Sequence, residues 1–377
     1  MKRKIILIVV VLFGLFLGGG VISLIQRYNT VVVKPSTIRK IFDRSTPTPT
    51  PDPLAPYSIL LMGYGGGGHD GGYLTDTMIV AHVRPRDKTV HLISLPRDMW
   101  VPLPLGKDGD GIFWKVNAAY AFGRDQNQYT DRPELYTGEA GGGNLAKYAA
   151  EYVTGLPVRY FAVLSFAGFE ESIDTLGGVD VEVPHTFEDT LYPVEEEKEN
   201  DCGKTPEEIE EITATMSGDL LEEQFPCRYE TISFTKGTTH MDGITALKFV
   251  RSRKSKTYGG DYNRSLRQLA LIEAIKEKVI SINFIPKIIP FMNSLTRDMQ
   301  TDIGASDFKT ILDTHPKPEE FTMETISLTT DNVLVESRSN DGQYILVPKE
   351  NKDDWTSVHN FIQEHIGTTQ EPENRQE

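Results

Sequence analysis

Residues 5–25 contain no charged side chain and follow directly on Lys2, Arg3 and Lys4. As a helix rising about 1.5 Å per residue, a run of that length reaches across the roughly 30 Å hydrocarbon layer of a bilayer. The basic residues ahead of it favour a cytoplasmic amino terminus, so the rest of the chain is expected outside the membrane after a single pass. The run has no A-x-A cleavage signal after it and no cysteine for lipid attachment. That pattern favours an uncleaved anchor over a signal peptide.

Residues 45–56 read STPTPTPDPLAP. Alternating proline blocks helix and sheet alike and favours an extended spacer at about 3.1 Å per residue. Residues 1–28 are therefore read as cytoplasmic tip and transmembrane anchor, and residues 29–56 as a Pro-rich extracellular linker. The rest is long enough, in a chain of 377 residues with 39% hydrophobic content, for one large domain or two ordinary ones. A formal charge of −15 opposes nucleic-acid binding, which needs a broad basic surface.

Beyond the linker, apolar runs predict strands over residues 57–62, 77–83 and 89–95, the last two joined by a short proline-containing turn as a hairpin. Helical patterns follow over 117–122 and 144–154, a strand over 159–166, a helix over 168–176 and a strand over 179–183. Helices over 243–250 and 264–279 continue the series. Later signals are weaker: helices over 286–295, 305–314 and 354–364, and a strand over 333–337. Residues 368–377 read as a disordered tail. Alternating strands and helices predict an α/β protein with a mixed central sheet flanked by helices.

Residues 249–268 reverse the sign of the chain. Arg251, Arg253, Lys254, Lys256, Arg264 and Arg267 stand there against Asp261 alone. Arg251 and Arg253 share a face if extended; Arg264, Arg267 and Gln268 share one if helical. Guanidinium groups fit phosphate oxygens in pairs and stay charged, so several facing one cleft suit a diphosphate. The alternative is a solvated basic face.

Two acids sit at matching ends of the predicted hairpin, Asp76 before its first strand and Asp98 after its second. Antiparallel pairing makes those ends neighbours. Paired carboxylates suit a hard cation such as Mg2+, which completes its shell with phosphate and water. The competing reading has Asp76 capping a turn and Asp98 pairing only with Arg97. Lys115, ahead of the helical pattern, is a further candidate phosphate ligand.

Other chemistries fit poorly. The glycine run over residues 63–72 is followed by β-branched residues and no G-K-[ST], which excludes a P-loop. No G-x-S-x-G occurs, and His69, His82, His91 and His185 have no evident serine partner. Cys202 and Cys227 lack a C-x-x-C arrangement and flank a glutamate-rich stretch, making them candidates for a disulfide outside the cytoplasm.

Taken in order, Ser58-Ile59-Leu60-Leu61-Met62-Gly63, Thr75-Asp76-Thr77-Met78, Ser94-Leu95-Pro96-Arg97-Asp98, residues 115–121, Thr175-Leu176-Gly177-Gly178-Val179-Asp180-Val181 and Met241-Asp242-Gly243 through Arg251-Ser252-Arg253 to Asp261 and Arg264-x-x-x-Gln268 resemble the LytR-CpsA-Psr family of cell-wall glycopolymer ligases. The resemblance implies a catalytic domain over residues 57–283, with an acidic insertion at about 187–230, and a C-terminal extension over 284–367. It implies an enzyme at the cell membrane that transfers a glycan from a polyprenyl-pyrophosphate carrier to a peptidoglycan hydroxyl. By position, Asp76 and Asp98 would hold Mg2+, and Arg97, Lys115, Arg251, Arg253, Arg264 and Gln268 would hold the diphosphate. Asp98, Arg97 and Arg251 would carry the catalysis. Where family members carry an acid after the first strand and an Arg-Ser pair before the Asp76 equivalent, this chain reads Gly63-Tyr64-Gly65 and Leu74-Thr75. His69 or Asp70 is the candidate replacement for the missing acid. A membrane-anchored binder of lipid-linked glycan that performs no turnover would need the same arginines, but has little need of Asp76.

Overall fold

The computed structural model describes residues 54–66, 72–280, 299–304 and 320–367, with a few single positions besides. The expected membrane span, most of the linker, His69 and Asp70, the expected helix over 286–295, most of that over 305–314 and the tail lie outside the described residues. Among the described residues no helix is long and apolar enough to cross a membrane. The chain divides into two compact units, Met1–Leu176 with Lys276–Glu377, and Gly177–Ile275.

The first unit is built on strands β1 (Tyr57–Tyr64), β2 (Thr75–Arg84) and β3 (Thr89–Ser94), with a hairpin of β4 (Trp100–Pro104) and β5 (Gly111–Lys115) following. Helices α1 (Ala118–Arg124) and α2 (Gly141–Thr154), strand β6 (Val158–Ser165) and helix α3 (Phe166–Thr175) come next. The second unit contributes β7 (Val179–Val183), β8 (Phe187–Pro193), helix α4 (Pro206–Thr215), β9 (Tyr229–Phe234), β10 (Gly237–Met241), helix α5 (Gly243–Arg251) and most of helix α6 (Gly260–Ile280), which it holds as far as Ile275. The chain then returns to the first unit with β11 (Met299–Thr301), β12 (Thr322–Ser327), β13 (Leu334–Arg338), β14 (Tyr344–Pro348) and α7 (Thr356–Gly367).

The central sheet has the order β11-β6-β1-β2-β3-β12. β1 runs antiparallel to β2 and parallel to β6, so the sheet is mixed. The apolar run of β1 is explained by its central position, where both faces are covered. Leu60, Val80, Ile93 and Phe161 are fully buried there. The segment after residue 283, set apart in the sequence as an extension, supplies both edge strands. β11 pairs with β6 and β12 with β3. Just past β11, Asp302 pairs with Lys147 of α2, and its other oxygen accepts from the Phe161 amide at 2.8 Å.

Helix α2 turns Leu145, Ala149 and Val153 to the core, the i, i+4, i+8 stripe of a helix laid on a sheet. Its opening glycines permit close approach. A Cβ on Gly143 would stand 2.1 Å from the Phe161 ring, and one on Gly123 of α1 would stand 2.3 Å from the Gly141 carbonyl oxygen. The two helices thus meet backbone to backbone. Val358, Ile362 and Ile366 of α7 join the same core.

In the second unit β7 pairs with β10 and β8 with β9, and Phe187, Phe234 and Phe249 form an aromatic cluster. The acidic insertion is mostly this β8–β9 hairpin and its long connection. Cys202 and Cys227 are bonded and close that connection. Helix α4 within it starts on a capping box between Thr205 and Glu208.

One histidine gains a serine after all. Ser58 Oγ and His82 Nδ1 lie 3.0 Å apart across β1 and β2. Ser58 is 0% exposed, so the pair satisfies core polar groups and offers substrate no access. Burial, then the facing His91, pushes His82 down to about 4.

Gly123→Ala is expected to lower stability by at least about 2 kcal/mol, because neither backbone can retreat without moving a helix; the shift in denaturant midpoint measures it. A pH dependence follows from His82. The unfolded ring, at 6.5, takes up a proton that the folded ring refuses. Stability should be level above pH 6.5 and decline by on the order of 3 kcal/mol as pH falls to about 4. Denaturation midpoints across that window, flattened in His82→Asn, test this.

Candidate functional site

Ile79 of β2 stands opposite Ser94 of β3, and the Leu95 amide adds one more rung to the Met78 carbonyl at 2.9 Å. Continuing that ladder brings Asp76 beside Arg97 and Asp98. Arg97 Nη1 donates to Asp76 Oδ1 at 2.7 Å, and its Nε stands 3.6 Å from Asp98 Oδ2. Lys115 Nζ donates to Asp98 Oδ1 at 2.7 Å. The result is a string of alternating charge, Asp76–Arg97–Asp98–Lys115. Asp98 is the most enclosed member, its side chain 15% exposed.

The backbone holds this string rigidly. Asn117 accepts from the Thr75 amide at 3.1 Å and from Thr75 Oγ1 at 3.2 Å, while its own amide donates to the Arg97 carbonyl at 3.4 Å. The Val116 amide donates to the Met99 carbonyl at 2.7 Å and the Leu346 amide to the Asp98 carbonyl at 2.9 Å. Lys115 is the last residue of β5 rather than the start of a helix, which begins at Ala118. Strand geometry aims its long side chain back across the hairpin at Asp98. Asn117 was passed over in the sequence because a lone asparagine before a helix reads as an ordinary cap. Its side chain makes no cap hydrogen bond; its backbone bridges the site.

The donor set fits a magnesium ion only in part. Asp76 and Asp98 supply two carboxylates, the number this ion usually takes from a protein, with the remaining oxygens drawn from phosphate and water. Among the described residues no three His, Cys, Asp or Glu side chains gather in one place.

In the second unit the basic segment is sorted by its neighbours. Arg251 ends α5, Arg253 lies in the loop after it, and Arg264, Arg267 and Gln268 lie on the first turns of α6. Arg267 is 2% exposed and lies 4.6 Å over the Phe187 ring, donating to the carbonyls of Tyr258 and Ser252. Burial pushes its guanidinium down to about 10, although Asp189 pulls the other way. Arg267 therefore organises the loop from inside. Lys254 pairs with Asp219 and Glu222 of the acidic connection, and Lys256 is exposed. Arg251, 5.9 Å over the Tyr192 ring, and Arg253 are half-buried, and Arg264 and Gln268 are buried on α6.

The residue that sets this loop is Asp189, hidden in sequence among the acids of the insertion. It is 1% exposed, and its Oδ2 accepts from Ser252 Oγ at 2.6 Å and from the amides of Arg253 and Lys254, each at 3.0 Å. The loop then closes through the Gly260 amide to the Arg253 carbonyl at 2.8 Å. Gly259 is required in it, since a Cβ there would lie 2.1 Å from the Ser255 oxygen.

Each unit thus holds basic side chains fixed by its own backbone, Arg97 and Lys115 in the first and Arg253 in the second. Residues 28–359 match the LytR_cpsA_psr family, and the chain belongs to it. The polyisoprenyl-teichoic acid–peptidoglycan teichoic acid transferase TagU of Enterococcus faecalis is 29% identical over 260 residues, covering 68% of this chain and 64% of that protein. The transferase of the same description from Bacillus subtilis, TagV, is 28% identical over 255 residues, 67% of this chain and 51% of its own length. The chain thus spans about half to two thirds of these relatives. The crystal structure of protein gbs0355 from Streptococcus agalactiae shares the fold, with a TM-score of 0.56 at 21% identity over 85% of this chain and 90% of that one.

Asp189→Ala would leave four donors, the Ser252 hydroxyl and the amides of Leu191, Arg253 and Lys254, without their acceptor and is expected to cost about 3 kcal/mol. Hydrogen exchange should localise the loss to residues 252–254; unchanged protection there would show that the loop is held by other means.

Proposed function

We propose that this chain is a membrane-anchored, extracytoplasmic phosphotransferase that moves a glycopolymer from a polyprenyl-pyrophosphate carrier to a peptidoglycan hydroxyl. The observation that carries the reading is the Asp76–Arg97–Asp98–Lys115 string. Two acids and two bases tied together form a site that is closed on itself, and a diphosphate is the kind of ligand that reopens it. Its oxygens compete for Arg97 and Lys115, and the carboxylates so released suit a divalent cation. Family membership and the transferase relatives support the same chemistry. The uncharged run over residues 5–25 provides the anchor.

On this reading the acceptor oxygen forms a bond to the phosphorus that bears the glycan, and the bond from that phosphorus to the lipid phosphate breaks. The polyprenyl phosphate departs with the electron pair. Once drawn from their carboxylates to the bound diphosphate, Arg97 and Lys115 meet the charge that grows on the phosphoryl oxygens during the transfer. Arg251, Arg253, Arg264 and Gln268 keep the role of diphosphate ligands that the family resemblance gives them. Asp98, enclosed and released from Lys115 by the diphosphate, takes the proton of the attacking hydroxyl. Magnesium, held by Asp76 and Asp98, would supply further positive charge at the phosphates.

The test is transfer of a labelled polyprenyl-pyrophosphate oligosaccharide to a peptidoglycan fragment by the full chain with magnesium. Arg97→Ala and Arg251→Ala should each lower kcat by about 10²–10³, the loss typical of removing one preorganised charge donor, and chelation should abolish transfer. Tight donor binding with no acceptor-dependent transfer would overturn the reading in favour of a binding module. Retained transfer by Asp98→Asn with metal bound would remove its role as base.

A further inference from the structure

The β4–β5 hairpin carries more than Lys115. A cavity of about 480 Å³ opens over it, lined on one side by Trp100, Phe113, Trp114 and Tyr129 and on the other by the β13–β14 turn, including Asp341 and Gln343. That volume lies within the usual range for a small-molecule site. The Trp100 and Phe113 rings are nearly parallel, 22° between planes with centroids 6.4 Å apart, so they lie as adjoining platforms. Phe113 is 39% exposed, a large apolar face left to water on a short two-stranded ribbon. The opposite wall is polar and held in place. Gln343 Nε2 donates to Asp341 Oδ2 at 2.6 Å, Ser339 Oγ donates to its other oxygen, and the Gln343 amide donates back to Ser339 Oγ at 3.0 Å.

Resting on the transferase reading, we propose that this cavity is a saccharide subsite that seats the neutral N-acetylhexosamine chain of the acceptor. A pyranose ring has a C–H face that packs on an aromatic ring and a rim of hydroxyl and amide groups that needs fixed acceptors and donors, and the cavity pairs those two surfaces. Its charge decides between glycans. Asp341 and Asp353 line it against a single Lys352. A phosphate-bearing polymer is repelled by that wall; an uncharged sugar chain is not. Its place suits an acceptor as well. Trp100 is the cross-strand partner of Lys115 and follows Asp98 by two residues. Phe113 lies two residues before Lys115 on the same strand face, about 7 Å along the strand. A chain on these platforms therefore runs alongside Lys115, the partner of Asp98.

The test needs neither donor nor metal. The full chain is titrated with chitotetraose, a neutral β-linked N-acetylhexosamine oligomer, following tryptophan emission, since Trp100 and Trp114 line the cavity. The expected result is a saturable change, with affinity about tenfold weaker in Phe113→Ala, the loss of one stacked face, and regained in Phe113→Tyr. No saturable change, or a Phe113→Ala titration like that of the wild type, overturns the proposal. So does saturation of the same signal by a polyglycerol phosphate instead. In transfer assays Phe113→Ala should raise the acceptor KM rather than lower kcat; an unchanged KM in an active enzyme overturns the subsite alone. Saccharide binding by a protein that transfers nothing upholds the subsite and overturns the transferase reading.

Discussion

Ile79 faces Ser94, and because strand side chains alternate between faces, that pairing decides which residues can meet past the end of the hairpin. A slip of one residue would turn Asp76 to the other face and replace the Arg97 contact with a bare carboxylate. The register is held by the core itself: Val80 and Ile93 are directly opposite each other and fully buried. Exposing that pair would forfeit several kilocalories of apolar burial. The charged string is thus positioned by the hydrophobic centre of the sheet. Surface ion pairs contribute little stability of their own.

The second unit positions its cations in the opposite way, with a buried charge. Asp189 exchanges water for one hydroxyl and three amides, the complement that makes an enclosed carboxylate tolerable. Arg267 plays the matching part beneath the loop, facing the ring of Phe187. Neither residue needs a ligand to explain its position. Both shape the backbone from which Arg253 projects, so part of the basic segment serves to build the loop that carries the rest.

Much of this could be read from the chain beforehand. β1, β2 and β3 were visible because central strands are apolar on both faces, and antiparallel pairing put Asp76 and Asp98 at neighbouring strand ends, but Arg97 as the residue that stands between them was not foreseen. The β4–β5 hairpin was not, because Pro102 and Pro104 break the strand signature; a two-stranded ribbon tolerates them where a central strand would not. β8 and β9 were hidden by the acids around them. Counting charges also misjudged Lys254 and Arg267, since a composition cannot say whether a cation faces a neighbouring carboxylate, a carbonyl or water. Asp189 escaped notice for the same reason.

The two edges of the central sheet come from the end of the chain. β11 and β12 flank strands that are all complete by residue 165. During synthesis from the amino terminus, β6 and β3 therefore wait as open edges, a template for mispairing with other chains. The unit over Gly177–Ile275 is continuous in sequence and has every one of its strands before either edge is covered. Folding order is written into the topology: the inserted unit can close early, while the central sheet stays unfinished until the chain has emerged past β12, at about the start of its last seventh.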